Sequence, residues 1–404
     1  MIDFNPLTPE FRQDPYPFYD LLRQYAPVFF WDRWQMYFLS RYDDCVALLR
    51  DNRLGHGMFQ VDRAPETQKA LATMQKDWLL FKNPPDHTRL RGLVHKVFTP
   101  RMVEQLRGSV ERITNELLDQ VQAQGHMDLI ADLAYPLPVT VIAEMLGIPP
   151  ADHLAFHALS NDLARSLDLT EETAVYDRAS QAAKTFRAYL AQLADERRRH
   201  PQDDLLSALV AVEEAGERLS TNELYATCAF LFVAGHETTI NLIGNGTLAL
   251  LQHPDQLGLL RDDPTLAGTA VEELLRYDSP VQMTSRMVLE DFEYNGRFFH
   301  RGDSIAFLLG AANHDPERFE QPQQLNIQRQ KNQHLSFGSG IHYCLGAPLA
   351  RLEGQIALTT LLKRMPNLTL GNIEPEHGGN YLLRGLKHLH LTFDHYSISP
   401  SCSK

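Results

Sequence analysis

Apolar side chains recur every three to four positions through most of this chain, the period of a helix with one buried face. The longest such run begins after Ser220, which forms a capping box with Glu223, and continues through Leu251 until Pro254 stops it. About 30 residues at ~1.5 Å each span about 45 Å, enough to cross an entire core. Helical periodicity also covers about Thr88–Phe98, Arg101–Gln122, Ile130–Leu146 and Thr173–Arg199, and Tyr42–Arg50 reads as a short helix. Strand signals are sparse: Pro27–Phe30 and Gln35–Ser40 read as a hairpin, with further short strands after residue 280. The pattern predicts a mainly α fold with small β-sheets. No internal repeat or low-complexity linker interrupts it, so residues 1–404 read as one domain, a helix-rich body with a smaller β-rich portion.

Composition narrows the function classes. Hydrophobic residues are 44% of the 404 and charged residues 22%, ordinary for a globular protein with a large core; only the terminal SISPSCSK suggests disorder. A net charge of −13 argues against a nucleic-acid partner, because phosphate binding needs basic clusters. Four scattered cysteines form neither a CxxC pair, a zinc set nor a disulfide framework, which suits a reducing compartment. The leading MIDFNPLTPEFRQDPYPFYDLL has no long apolar run, basic leader or cleavage site. Neither a signal peptide nor a membrane anchor is expected, and the protein should be soluble and cytoplasmic.

Cys344 carries the strongest chemical signal. It lies in FGSGIHYCLGAPLAR, residues 337–351, framed by Gly338, Gly340 and Gly346 with Phe337 seven residues upstream. Glycines let backbone amides approach a cofactor and a sulfur closely. The helix expected after Gly346 points its amino terminus at the thiol, which lowers a thiol pKa. We read Cys344 as a thiolate ligand to haem iron, and Cys45, Cys228 and Cys402 as structural cysteines.

AGHETT, residues 234–239, sits mid-way along the long helix. Gly235 costs about 1 kcal/mol against alanine there, and Thr238 can bond the carbonyl of Ala234, so a local opening of the helix is expected. His236 and Glu237 begin a HExxH zinc motif, but position 240 is Ile and the second ligand is missing. Gly244, Gly246 and Ala249 mimic a dinucleotide fingerprint inside a helix, without the preceding strand it needs. Glu273 and Arg276 share a helix face, but Glu104 with Arg107 and Glu196 with Arg199 have the same spacing, so that pair alone is uninformative.

Phe337, Gly338, Gly340, Cys344 and Gly346 together match the haem-binding signature of the cytochrome P450 family, and the resemblance runs from PYPFYDLLR to RGLKHLHLTF. It implies haem b between the long helix and the cysteine loop, with Ala234, Gly235, Glu237 and Thr238 forming the oxygen-binding groove. Thr238 would orient dioxygen and water, and Glu237 would relay protons. Glu273 and Arg276 follow the long helix and precede HDPERF and the cysteine loop, as the family's ExxR does; with Arg329 they would form a buried ionic cluster bracing that loop. Leu325 and Asn326 stand where the family commonly has Phe and Asp, and Val288 where it usually has alanine. His87, Arg91, Arg286 and His342 match residues that hold the haem propionates.

The same resemblance implies a monooxygenase that inserts one atom of O2 into a hydrophobic small molecule such as a terpenoid, steroid, fatty acid or polyketide. Its pocket would include Trp78, Leu79, Phe230, Leu231, Val281, Met283, Leu382 and Leu383. No flavin or iron–sulfur segment is evident, so electrons from NAD(P)H would arrive through a separate ferredoxin and ferredoxin reductase. Lys96, Arg101 and Arg351 either form a docking patch for that ferredoxin or are simply solvated charges. A monomer is expected. A peroxide-driven enzyme and a non-catalytic haem sensor remain the alternatives.

Overall fold

The computed structural model describes residues 4–57, 61–168, 170, 172–214, 219–378 and 381–394. Cys402 and the SISPSCSK tail lie outside the described residues. Helices dominate, and the Thr221–Gln252 helix is the axis of the body. Its capping box is complete: Glu223 N donates to Ser220 Oγ at 3.3 Å, and Ser220 N donates to Glu223 Oε2 at 3.0 Å. Its apolar surface packs against the helices Pro136–Leu146, Thr173–Arg199, Ala267–Tyr277 and Ala347–Arg364. By length and composition this helix could cross a membrane, but its apolar windows are mostly buried inside the protein.

Two predicted helices divide. Arg101–Gln122 becomes Pro100–Gln105 and Arg107–Val121. At the joint, Leu106 N bonds Val103 O, three residues back instead of four, and Gly108 weakens the following turn. Ile130–Leu146 becomes a π-helical turn, Ile130–Ala134, followed by Pro136–Leu146. Pro136 and Pro138 have no N–H to return to residues 132 and 134, and Tyr135 N bonds Ile130 O instead, at 2.9 Å. The long helix runs unbroken through residues 234–239, so the expected opening does not form. Gly235 serves packing: a Cβ there would lie 3.0 Å from Ile142 Cδ1.

The predicted hairpin forms as Val28–Trp31 and Met36–Leu39, antiparallel. It belongs to a five-stranded sheet that continues through Ser304–Leu308 and Met283–Val288 to the edge strand Leu54–Gly55. Smaller pairings join His126–Asp128, His390–Thr392 and Thr369–Leu370, and Phe292–Tyr294 with Arg297–Phe299. The sheet therefore holds Arg286, on Met283–Val288, beside the loop that follows Leu54–Gly55.

Candidate active site

Phe337–Cys344 is a turn closed on itself. Gly338 N bonds Leu335 O at 2.7 Å and Cys344 N bonds Phe337 O at 2.9 Å, with Gly338 and Gly340 both at φ +71°. A Cβ on Gly340 would meet the carbonyl oxygen of Leu49 at 2.6 Å, so glycine is required there. Cys344 is exposed at the protein surface, with protein atoms packed around its sulfur. That packing raises the thiol pKa above its ordinary value. The amides of Gly346 and Ala347, then Arg91 and Arg351, pull in the other direction without overcoming it. The helix terminus lowers the thiol pKa as expected, and desolvation of the thiolate acts in the opposite direction.

Below the loop, Glu273 and Arg276 are fully buried. Arg276 donates to Glu273 through Nε and Nη2 at 2.8 and 2.9 Å, and its Nη1 donates to the carbonyls of Asn313 and Pro322. Arg329 Nε joins Glu273 Oε2 at 3.0 Å, and Asn332 Nδ2 donates to the same oxygen at 3.1 Å. Asn326 enters through its backbone N–H, 2.9 Å from Glu273 Oε1, which explains why its side chain can depart from the family pattern. The spacing that was uninformative in sequence is resolved by burial, since Glu104 and Arg107 pair on the exposed surface and Arg199 turns to the carbonyl of Asp195.

Asn313 extends this cluster to the loop: its Oδ1 accepts from Leu335 N at 2.7 Å and its Nδ2 donates to Ser336 Oγ at 2.9 Å. Sequence reading missed Asn313, although it immediately precedes the HDPERF stretch that served as a marker. Arg351 is engaged within the protein. It donates to Glu272 at 2.6 and 3.0 Å, and its guanidinium lies 4.5 Å above the ring of Phe337.

His87, Arg286 and His342 converge, while Arg91 Nη2 donates to Tyr343 O at 2.7 Å. The rings of His87 and His342 are 4.3 Å apart, and the ring of His56, absent from the predicted set, is 5.0 Å from His342. Each of these three histidines buries an Nε2 that has no hydrogen-bond partner. Burial, reinforced by nearby Arg286, lowers their pKa values to about 3 for His56, 4 for His87 and 2 for His342, so all three are neutral at pH 7. Burial lowers Arg286 to about 10. The set is rich in donors and has no protein carboxylate among the partners found for it, an arrangement that fits an anionic ligand.

On the central helix Ala234 is exposed and Gly235, Glu237 and Thr238 are half-buried. Thr238 Oγ1 lies 3.4 Å from Ala234 O, as the sequence suggested. Burial raises Glu237 to about 7, with Asp168 adding repulsion and Arg165 offsetting part of it, and Glu237 Oε2 has no partner. Glu237 opens onto a cavity of about 590 Å³ lined largely by polar groups, including His157, Asn161, Arg165 and Asp168.

Of the eight residues expected to form an apolar pocket, Leu383 alone lines this cavity. Trp78, Leu79 and Met283 are buried in the core, and Phe230, Leu231, Val281 and Leu382 are half-buried. Trp78 packs against Phe81 and Phe230, and Leu382 N donates to Asp168 at 2.8 Å. Three of its polar groups, His157, Asn161 and Arg165, come from the helix His153–Arg165, which the sequence reading did not single out.

A sulfur presented from a glycine turn, beside unpartnered imidazoles suited to propionates, fits a haem-thiolate protein. The sequence profile of the Cytochrome P450 family matches residues 12–263 and 260–368. Polyketide biosynthesis cytochrome P450 PksS of Bacillus subtilis (strain 168) is 43% identical over 400 residues, covering 96% of this chain and 97% of that protein. Vitamin D(3) 25-hydroxylase of Pseudonocardia autotrophica is 40% identical over 389 residues, 95% and 94% of the two chains. The crystal structure of P450BioI in complex with hexadec-9Z-enoic acid ligated acyl carrier protein matches with a TM-score of 0.90 at 40% identity, covering 95% of this chain and 99% of that one. The chain belongs to the cytochrome P450 family of haem-iron, dioxygen-using monooxygenases.

Proposed function

We propose that this chain, acting as one monomeric domain in the cytoplasm, hydroxylates or epoxidises a hydrophobic small molecule. Electrons from NAD(P)H reach it through a ferredoxin and its reductase. For hydroxylation, the substrate's C–H bond gains one oxygen atom, the second oxygen leaves as water, and two electrons and two protons are consumed.

Bound haem supplies the redox centre where dioxygen is activated, and a cysteine thiolate on its iron adds electron density that favours O–O cleavage. Cys344 is the residue offered for that bond. His87, Arg91, Arg286 and His342 hold the propionates, and the Glu273–Arg276–Arg329 cluster keeps the cysteine turn in shape. Glu237 stores a proton at Oε2 and exchanges it with water in the polar cavity that it lines, while Thr238 Oγ1, which lies outside that lining, orients water in the oxygen-binding groove. The half-buried side chains Phe230, Leu231, Val281, Leu382 and Leu383 supply apolar surface for the substrate, with Trp78, Leu79 and Met283 as a rigid backing.

The observation that carries this reading is Glu237, held near neutrality on the same helix as Thr238. A group poised near the working pH suits repeated proton delivery; a peroxide-driven enzyme or a haem sensor has no need of it. The test supplies ferredoxin, reductase, NADPH and a panel of hydrophobic compounds. Oxygenated product formed with substrate-dependent NADPH consumption supports the proposal. Turnover with hydrogen peroxide but none with the ferredoxin system, or ligand binding without turnover under either condition, rejects it in favour of the two alternatives.

A further inference from the structure

The edge strand Leu54–Gly55 pairs with Val288 and Met287, residue 54 opposite 288 and residue 55 opposite 287. Continuing that antiparallel register by one position sets His56 opposite Arg286. The backbone is pinned there: Asn83 Oδ1 accepts from His56 N at 2.8 Å and Asn83 Nδ2 donates to His56 O at 2.7 Å. Asn83 O also accepts from His87 N at 2.9 Å, so one residue fixes the relative positions of His56 and His87.

The local sequence is matched to this clamp. A Cβ on Gly55 would lie 2.6 Å from Asn83 Oδ1 and 2.7 Å from Leu289 Cδ1, so a side chain there would disturb the clamp, whereas one on Gly57 would meet only the movable end of Met287. The imidazole is only 9% exposed. It stands edge-on to Phe81 and His342, and its Nε2 is buried without a partner. Burying a donor without an acceptor costs free energy that well-packed proteins avoid. His87 and His342 share the same deficit within the same cluster.

We propose that His56 is a fifth cofactor-anchoring residue, donating a hydrogen bond from Nε2 to a haem propionate alongside His87, Arg91, Arg286 and His342. Two carboxylates offer about eight acceptor positions, enough for each of the five residues to donate at least one hydrogen bond. The Gly-His-Gly loop and its Asn83 clamp thereby tie the edge of the β-sheet to the cofactor. This inference rests on the haem reading above, and its test separates the two.

The holoenzyme and the variants His56→Ala and His56→Gln are compared by haem transfer to excess apomyoglobin and by ferric/ferrous reduction potential. Loss of a donor leaves propionate charge less compensated, which favours the ferric state. His56→Ala is expected to release haem about tenfold faster, the equivalent of 1.4 kcal/mol, and to have a lower potential. His56→Gln, which retains an N–H donor, is expected to restore much of both. Wild-type release rate and potential in His56→Ala overturn the proposal. So does equally fast release in both variants at an unchanged potential, which indicates a purely structural role. Should His56→Ala fail to fold, a haem release rate and potential of His56→Gln close to wild type support the donor role, and about tenfold faster release from His56→Gln overturns it. A wild-type protein without thiolate-ligated haem instead refutes the underlying reading.

Discussion

Arg329 Nε reaches Glu273 Oε2 at 3.0 Å across 56 residues of sequence, joining a carboxylate that already receives two hydrogen bonds from Arg276. Two segments thus meet on one buried acid, and Asn313, whose carbonyl accepts from Arg276, passes their position to the residues just before the cysteine turn.

Removing one partner of such a pair strands the other charge in the interior. Arg276→Ala is expected to lower stability by about 3–5 kcal/mol and to impair haem retention, measured by urea unfolding and by the haem-to-protein absorbance ratio. Glu104→Ala, which breaks a surface pair of the same spacing, should leave the unfolding midpoint unchanged. Equal behaviour of the two variants contradicts the bracing role.

Gly340 combines φ +71° with an approach to the Leu49 carbonyl that no side chain can share. Gly340→Ala is expected to cost at least about 1–3 kcal/mol and to displace the cysteine turn, read as weakened haem binding. Gly258→Ala has open space inside the helix Pro254–Asp262 and should gain about 0.5–1 kcal/mol instead.

The proton chemistry of Glu237 has a defined sign. In the folded protein its carboxyl keeps its proton up to about pH 7, whereas an unfolded chain releases it near 4.5. Stability is therefore lost progressively as pH rises from about 4.5 to about 7 and is flat above that range. Glu237→Gln should remove this loss, raising stability at pH 8 more than at pH 4. Coupled product formation by the wild type should fall as pH rises through about 7, and Glu237→Gln should lose about a hundredfold in rate together with that inflection. A variant whose pH profile keeps the wild-type inflection assigns the titration to another group.

Local signals made much of this structure legible before any coordinates. The Ser220–Glu223 box and Pro254 bounded the central helix, and Thr173–Arg199 ran to its predicted ends, because caps and apolar period are written within a few residues. The divided helices depended on finer competition, with Pro136 withholding an N–H and Leu106 tightening a turn. The cavity was the least legible part. Its lining joins residues far apart in sequence, Arg165, Glu237 and Leu383 among them, so no stretch of chain announces it. His56 was overlooked for a related reason: its meaning comes from the sheet register opposite Arg286 and from the Asn83 clamp, neither of which a Gly-His-Gly tripeptide discloses. The thiol of Cys344 shows the limit of a single local rule, since its helix amides are present but desolvation outweighs them.

The most direct measurement is the absorption spectrum of the reduced protein under carbon monoxide, for wild type and Cys344→Ala. Wild type should show the strongly red-shifted band of thiolate-ligated haem, and Cys344→Ala should lack it. A wild-type protein without that band, or a Cys344→Ala variant that keeps it, contradicts the assignment of Cys344 as the ligand.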